Sequence, residues 1–342
     1  MSVRIGIGLF TGQVPDGSSR TFAREYREAI ELVRLAEALG FDSAWVSEHH
    51  GSSDGYLPSL LPMLAAFAAA TERIALGTGV VLTPFHDPLR LAEDAAVVDQ
   101  LSEGRLILGL GLGWREEEFR MFGVPIAERA RRTEETIEVL RRAWTGARFT
   151  FEGAIFRYDR VKVTPPPAQT GGPPIYLGGY ADAALLRAGR LADGYITDDS
   201  GVDGVRGYLR VIERGARDAG RDARALGLAL IRYLALEDAG ASSALRQGIA
   251  YRFGAYTAWD EGHDTPEHDS LEPPTPSEEA LPTAPAGPPS EVARALRPTV
   301  EAFADRELDL IVCPMHPGMD FQTASRAVEL FAHEVMPALR AS

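Results

Sequence analysis

Residues 41–50 read FDSAWVSEHH, a short run of strand-forming residues that ends in an acid and two imidazoles. Gly40 comes directly before it and suits the end of a helix, because glycine readily adopts the conformation that closes one. Glu48, His49 and His50 therefore lie at the carboxyl end of a strand, which is where α/β folds bind their ligands. Histidines that only fill a polar loop would look the same in isolation, so the rest of the chain has to decide.

The same order of strand, polar end and helix recurs along the chain. Apolar runs predict the strands, and apolar residues at helical spacing predict the helices between them. The predicted strands are 3–10, 41–46, 73–82, 105–111, 174–177, 193–197, 226–236 and 308–312. The predicted helices are 22–39, 57–70, 89–101, 114–122, 129–144, 181–191, 205–219, 243–256, 291–304 and 323–339.

Eight strand-and-helix units predict an α/β fold, a closed TIM (β/α)8 barrel. Residues 149–167 and 260–289 are predicted to be insertions, after the fourth and the seventh strand respectively. An open, doubly wound sheet is the alternative. Glycine-rich strand ends occur along the whole chain rather than in the first unit alone, which favours the barrel.

The composition predicts one domain over residues 1–342. The chain is 45% hydrophobic and 25% charged, which is ordinary for a protein with a large core. Residues 260–289 contain eight prolines and eight acids but no lysine or arginine. This stretch cannot bury enough apolar surface to order itself, so we predict a flexible loop.

The charge and the cysteine content limit partners and location. The net charge of −14 argues against nucleic acid as a partner, because phosphate binding needs clustered cations. No apolar run approaches the roughly 20 residues that cross a bilayer, and no signal peptide is evident at the start, so we expect no membrane association. Cys313 is the only cysteine and lies in an apolar strand. We therefore expect a buried core thiol and a cytoplasmic protein.

Two glycine-rich strand ends are candidate anion sites. Residues 109–114 read GLGLGW and residues 178–180 read GGY, and a predicted helix follows each of them. Glycines let a ligand approach the backbone, and a helix N-terminus offers free N–H groups to an anion. Two such places suit a flat, phosphorylated cofactor lying across the mouth of a barrel.

Metal and nucleophile chemistry is not indicated. Inward-facing ligands on a strand are two residues apart, whereas His49 and His50 are adjacent and would point apart, so we predict no metal site. The sequence contains no G-x-S-x-G elbow. Its one lysine, Lys162, lies in a loop rich in proline, which argues against a Schiff base.

Together these motifs resemble the bacterial luciferase-like monooxygenase family. The resemblance rests on WVSEHH at 45–50, RIALGTGV at 73–80, HDPLRLAED at 86–94, DQLSEGRL at 99–106 with the glycines up to Gly113, and PIYLGG at 174–179. It covers residues 3 to about 236 and resumes from 287. It implies a TIM barrel that binds reduced FMN, or the related deazaflavin coenzyme, at its C-terminal face.

The resemblance also implies roles for particular residues. It makes His49 catalytic, beside the flavin ring, with Glu48 next to it. It implies a bulge with a non-prolyl cis peptide in the third strand, within Gly77 to Val80. The implied cofactor-binding residues are Phe10, Gly77, Thr78, Gly79, Gly111, Gly113, Trp114, Gly178, Gly179 and Tyr180.

Two positions depart from the family. Leu112 stands where many flavin-dependent members have an arginine for the phosphate, and Arg115 is the candidate substitute. Trp114 stands where deazaflavin-dependent sugar-phosphate dehydrogenases have a catalytic glutamate, which argues against that activity.

Three functions remain open. The first is a two-component monooxygenase that takes reduced FMN from a separate reductase and oxidises a small organic substrate with O2. The second is a deazaflavin-dependent oxidoreductase that transfers a hydride without O2. The third is a flavin-binding protein without turnover. Family members commonly pair through helices of the first half, so we expect a homodimer, with the apolar residues 57–70 in the interface.

Overall fold

Eight parallel strands close on themselves in the computed structural model, which describes residues 3–198, 201–236, 248–252, 254, 256, 259 and 284–341. The strands, in chain order, are β1 Arg4–Phe10, β2 Ser43–Val46, β3 Ala75–Thr78, β4 Val81–Leu82, β5 Leu106–Gly111, β6 Phe149–Glu152, β7 Arg157–Val161, β8 Ile175–Gly178, β9 Gly194–Thr197, β10 Gly227–Tyr233, β11 Ala235–Leu236, β12 Ala286–Gly287 and β13 Leu308–Cys313. The barrel runs β1, β2, β3, β5, β8, β9, β10, β13. It closes where β13 pairs with β1, which confirms a closed barrel rather than an open sheet.

Helices surround the barrel. They are α1 Phe22–Ala38, α2 Leu60–Ala70, α3 Pro88–Leu101, α4 Glu116–Met121, α5 Arg129–Ala143, α6 Asp182–Leu191, α7 Gly201–Asp218, α8 Pro289–Ala302, α9 Phe321–Leu330 and α10 Met336–Arg340, with a π-helical turn at Phe331–Val335. Residues 248–252, 254, 256 and 259 are also helical, and we call them the mouth segment. Among the helices of the described residues, none is long and apolar enough to cross a membrane.

The side chains of the strands divide into two sets. One set faces the helices and includes Ile5, Ile7, Leu76, Leu108 and Leu310. The other fills the barrel and consists of Leu9, Trp45, Ile107, Tyr176, Ile196, Ala229, Ile231, Tyr233, Ile311 and Cys313. This alternation is the ordinary consequence of the strand pleat. Cys313 is fully buried in the inner set, as predicted, and burial raises the pKa of its thiol to about 12.

The predicted third strand is two strands, β3 and β4, which are separated by Gly79 and Val80. The Gly79–Val80 peptide is cis, as the family resemblance implied. β4 continues beside β5, pairing Val81 with Leu110.

The helix predicted over 57–70 begins only at Leu60. The reason is that the preceding residues pair with neighbouring loops. The N–H of Leu57 donates to the carbonyl of Thr11, and the carbonyl of Leu57 accepts from the N–H of His49. Pro58 therefore belongs to a connection that holds the loops after β1 and β2 together.

Two further elements follow the fourth and seventh strands of the barrel. The antiparallel hairpin of β6 and β7 lies between α5 and β8. Residues 260–283 of the loop predicted at 260–289 lie outside the described residues. The last residues of this stretch are not a flexible loop as predicted. Ala286 and Gly287 form the short strand β12, which pairs with β11.

Candidate active site

The centre of the site is the imidazole of His49, directly beyond β2. Its Nδ1 lies 2.9 Å from Oε1 of Glu118 in α4. Because a carboxylate can only accept, Nδ1 carries the proton and donates it, which fixes the tautomer of the ring. The opposite atom, Nε2, lies 3.2 Å from the hydroxyl of Tyr256. His49 is 5% exposed and Glu118 is 1% exposed, so the pair is almost fully removed from water.

Aromatic rings enclose His49. The ring centroids of Tyr56 and Trp259 both lie 4.8 Å from the centroid of His49, and that of Tyr256 lies at 5.4 Å. The hydroxyls of Tyr56 and Tyr256 are 3.1 Å apart, and Tyr56 also bonds Ser47. Burial, reinforced by the neighbouring Tyr56, raises the pKa of Tyr256 well above its usual value, so these hydroxyls stay protonated and able to donate.

The neighbouring histidine points the other way. Nε2 of His50 lies 2.7 Å from Oε1 of Glu48, and Nε2 of His86 approaches the same oxygen at 3.4 Å. Burial alone would raise the pKa of Glu48, but the hydrogen bonds from His50 and His86 hold it below its usual value. The predicted divergence of His49 and His50 is confirmed. The carboxylate of Glu48 bonds His50 and His86, and within the described residues it forms no hydrogen bond with the ring of His49.

Arg115, the candidate substitute for the phosphate-binding arginine, has several partners near His49. Its Nη1 donates to the carbonyl of His50 at 3.1 Å and lies 3.5 Å from Glu118. Its guanidinium also lies 4.1 Å from the centre of the Trp259 ring. Arg115 thus contacts the loop and the helix that position His49, and its suggested role as the phosphate partner stays a prediction.

The predicted glycines fall into two groups. A Cβ on Gly77 would meet the Trp45 ring at 2.2 Å, and one on Gly111 would meet Val80 at 2.5 Å. Barrel packing therefore explains both of these glycines without a ligand. Thr78, also buried, donates its hydroxyl to the carbonyl of Gly109 at 2.8 Å. Gly79 has φ in the ordinary range and is only half-buried, next to Leu9 and Ile196.

Gly178 is different, because nothing in the described protein requires a glycine there. An added Cβ would meet no atom closer than 3.6 Å, and the φ of Gly178 is not positive. The missing side chain leaves a gap at the end of β8, beside Val80. Gly113 and Gly179 have φ of 69° and 134°, where glycine is favoured by the backbone itself. A gap of this kind fits the close approach of a cofactor to the strand end.

Three predicted residues stand apart from this gap or at its edge. Phe10 packs its ring edge-on against Phe67 of α2 at 5.3 Å, among the outward-facing residues. The reason is a register shift between Ile7 and Phe10, which turns Leu9 inward instead. Trp114 and Tyr180 are 38% and 52% exposed and lie on the rim, with the Tyr180 hydroxyl donating to Asp198 at 2.8 Å.

The residues that hold His49 were not predicted from the sequence. Glu118 belongs to the acidic run 116–118, which is adequately explained by the positive end of a helix dipole. Only Glu118 turns inward, and it is 69 positions from its partner. Tyr256 and Trp259 lie more than 200 positions from His49, next to a stretch with no regular pattern. Acidic and aromatic residues are typical of such a site, but no local sequence pattern distinguishes these three residues from the others of their type. Within the described residues, no cluster of three metal-binding side chains occurs.

The barrel and its mouth define a luciferase-like oxidoreductase, and the chain belongs to the family described as luciferase-like monooxygenase, whose model matches residues 3–306. A curated relative, the F420-dependent glucose-6-phosphate dehydrogenase of Nakamurella multipartita, is 34% identical over 212 residues, which are 57% of this chain and 59% of that protein. The solved monooxygenase RslO1 of Streptomyces bottropensis is 27% identical with a TM-score of 0.82, covering 98% of this chain and 99% of that one. The oxygenating constituent of 3,6-diketocamphane monooxygenase of Pseudomonas putida, in complex with FMN, shares the fold at 20% identity and a TM-score of 0.76, covering 98% and 99%.

Proposed function

We propose that this protein is the oxygenating component of a two-component flavin monooxygenase. It would take reduced FMN from a separate reductase and oxidise a small organic substrate with O2. The observation that carries the proposal is the buried His49, whose tautomer is fixed by Glu118 and whose Nε2 lies in an aromatic enclosure. The similarity to RslO1 over nearly the whole of both chains supports the same choice.

The chain would contribute position, a proton and the exclusion of water. Reduced FMN, when bound, supplies the two electrons that convert one oxygen atom of O2 to water while the other enters the substrate. Nε2 of His49 gives or takes a proton at the reacting oxygen, and Glu118 stabilises the charged imidazolium when it forms. Tyr56, Tyr256 and Trp259 keep bulk water from the reaction.

We propose that Arg129 supplies the cation that is missing at Leu112. Its Nη1 donates to the carbonyl of Gly113 at 3.1 Å, so its guanidinium lies beside the glycine turn. An arginine here would pair with the cofactor phosphate from the first turn of α5.

Arg129→Gln should weaken FMN binding by about 10-fold or more and leave the affinity for riboflavin, which lacks the phosphate, unchanged. Arg132→Gln is the matched control, because Arg132 lies on the same helix but bonds Glu128. Equal loss for FMN and riboflavin would contradict the assignment.

A deazaflavin-dependent oxidoreductase, which reduces its substrate without O2, is the second candidate. The curated relative at 34% identity is named for F420, and Leu112 departs from the flavin-dependent members. Trp114 argues against a sugar-phosphate dehydrogenase activity, because it stands where those deazaflavin-dependent enzymes have a catalytic glutamate.

Titration with each reduced coenzyme and stopped-flow reoxidation in aerated buffer distinguish these functions. The monooxygenase should bind reduced FMN and alter its reoxidation by O2, and His49→Ala should abolish that alteration while leaving FMN affinity nearly unchanged. Tight binding of reduced deazaflavin alone, with no O2 uptake, would favour the second candidate. Binding without any turnover would leave a flavin-binding protein.

We also propose a cytoplasmic homodimer with a flavin reductase as its partner. The structure favours α3 rather than α2 as the helix at the dimer interface. The apolar residues of α2 are mostly buried within the monomer, so they do not need a partner. Val97 and Leu101 of α3, in contrast, are 46% and 52% exposed and lie one helical turn apart.

A further inference from the structure

A buried arginine on the mouth segment forms no ion pair with an acid of the described residues. Arg252 is 3% exposed, and its guanidinium lies 5.1 Å from the centre of the Tyr233 ring. Its Nη2 donates to the carbonyl of Leu9 at 3.3 Å, while Nε and Nη1 have no acceptor within the described residues. No carboxylate in that part of the chain forms an ion pair with it. A buried charge in this state is costly unless something binds it.

The arginine lines a small, partly open cavity between β1, α1 and the loop before α9. The cavity has a volume of about 50 Å³, room for about three to five water-sized positions. Arg20 lines the same cavity, but Glu25 and Glu28 neutralise it. Arg252 is therefore the cation left available to a bound anion.

Two buried acceptors without donors line the same cavity. Nε2 of Gln13 donates to Oδ2 of Asp54 at 2.6 Å, which fixes the amide orientation and leaves Oε1 unpaired. Nε2 of His316 bonds the carbonyl of Leu234 at 3.0 Å, which leaves Nδ1 as an unpaired acceptor. Burial, with the nearby Arg252, lowers the pKa of His316 to about 3, so this ring is neutral.

We propose that this cavity binds the carboxylate end of the substrate, and that the substrate is an organic acid with a hydroxyl or N–H donor next to the carboxylate. The proposal rests on the proposed oxidoreductase function and names the class of its substrate. Arg252 would donate to the carboxylate, and Gln13 and His316 would accept from the neighbouring donor. The two acceptors disfavour the dianion of a phosphate monoester, whose phosphate oxygens have no proton to give.

The position of Arg252 connects the cavity with the reacting site. Arg252 and Tyr256 are four residues apart in helical backbone, so they share a face and lie about 6 Å apart along the axis. Tyr256 bonds His49. Arg252 also lies near enough to Tyr56 and Tyr256 to interact with both hydroxyls, so a substrate whose carboxylate is held at Arg252 would extend toward His49. Arg252 would determine which substrates are accepted rather than take part in the chemistry.

Isothermal titration of the full chain tests this, with and without FMN, using lactate, propanoate, 1,2-propanediol and inorganic phosphate as probes. We expect saturable binding of the two acids, tighter for lactate, and none of the neutral diol. Arg252→Met should weaken both acids by about 10-fold or more, while Arg20→Gln should not. If Arg252→Met does not fold, Arg252→Lys should keep weakened binding.

Several results would overturn the proposal. These are equal binding by the parent and the Arg252 variants, loss of binding in Arg20→Gln alone, or phosphate binding tighter than lactate. The measurement needs no turnover. Acid binding without any redox activity would therefore refute the proposed function but support the carboxylate site. Redox activity without acid binding would support the proposed function but refute the carboxylate site.

Discussion

Replacement of Glu118 by glutamine tests the arrangement on which the proposed chemistry depends. Oε1 of Glu118 accepts from Nδ1 of His49 and from the backbone N–H of His50, both at 2.9 Å. Glutamine has the same shape and can still accept, but it has no charge. A charged hydrogen bond contributes about 1.5–3 kcal/mol and is about twice as strong as a neutral one. Losing the charge in two such bonds should therefore cost about 1.5–3 kcal/mol of unfolding free energy.

The effect on activity depends on how the amide sits. Oε2 of Glu118 has no partner in the described residues, whereas the position of Oε1 also faces the backbone N–H of His50, so the amide should keep its oxygen toward Nδ1. With its oxygen toward Nδ1, the loss of charge stabilisation should slow turnover by about 10–100-fold. With its NH2 toward Nδ1, the tautomer of His49 inverts, and the loss should approach about 10⁴-fold.

Glu117→Gln provides the matched control. Glu117 is the preceding residue and its carboxylate also lies near Arg115, at 3.7 Å, but no contact with His49 is present among the described residues. Urea unfolding and single-turnover kinetics should be measured on both variants with the coenzyme that the parent uses. Equal rates for the Glu117 and Glu118 variants would refute the reasoning that Glu118 orients the imidazole.

Four shorter predictions follow from other parts of the molecule. His49→Ala should lower single-turnover rates by at least about 10²-fold with little change in cofactor affinity, whereas His50→Ala should mainly lower the melting temperature; similar effects of the two would mean that neither is catalytic. Burial raises the pKa of Asp309 to about 6, above the value of about 3.9 in an unfolded chain, so the folded protein binds the extra proton and loses stability as the pH rises from 4 to 6. Calorimetry should show Asp309→Asn melting higher than the parent at pH 7.5 but not at pH 4. Arg252→Met should raise the melting temperature of the ligand-free protein, since it removes a buried unpaired charge; a fall would point to a structural role. Light scattering at micromolar concentration should give a dimeric mass, and a charged residue in place of Leu101 should give a monomer; a monomeric parent would end the dimer proposal.

The barrel was predictable because each unit carries its own signal. Apolar runs and helical spacing are local signals, and eight repetitions leave few architectures that could bury all of these apolar residues. The boundaries failed where distant residues decide the local structure. α2 starts three residues later than predicted because Leu57 pairs with Thr11 and His49, contacts that no local pattern contains.

Only the part of the site that directly follows a barrel strand could be predicted from the sequence. His49 could be located because it follows a strand directly. Phe10 could not be oriented, because a register shift in β1 reverses the expected alternation. Glu118 reaches the site from α4, and Tyr256 and Arg252 reach it from the mouth segment. Their roles arise from burial and from missing partners, and those properties exist only once the chain is folded.

The pairing of β1 with β13 has a consequence for how the protein is made. Arg4 pairs with Asp309, and Ile7 with Val312, so the first strand meets one of its two neighbours only when nearly the whole chain has been synthesised. At about 5–20 residues per second, that is a wait of about 15–60 s. During this time one edge of β1 has free backbone donors and acceptors flanked by apolar side chains, which is the surface that strands of other molecules can join. We therefore expect newly made chains to depend on chaperones at β1, and slow translation of the last strand to increase aggregation more than slow translation anywhere after it.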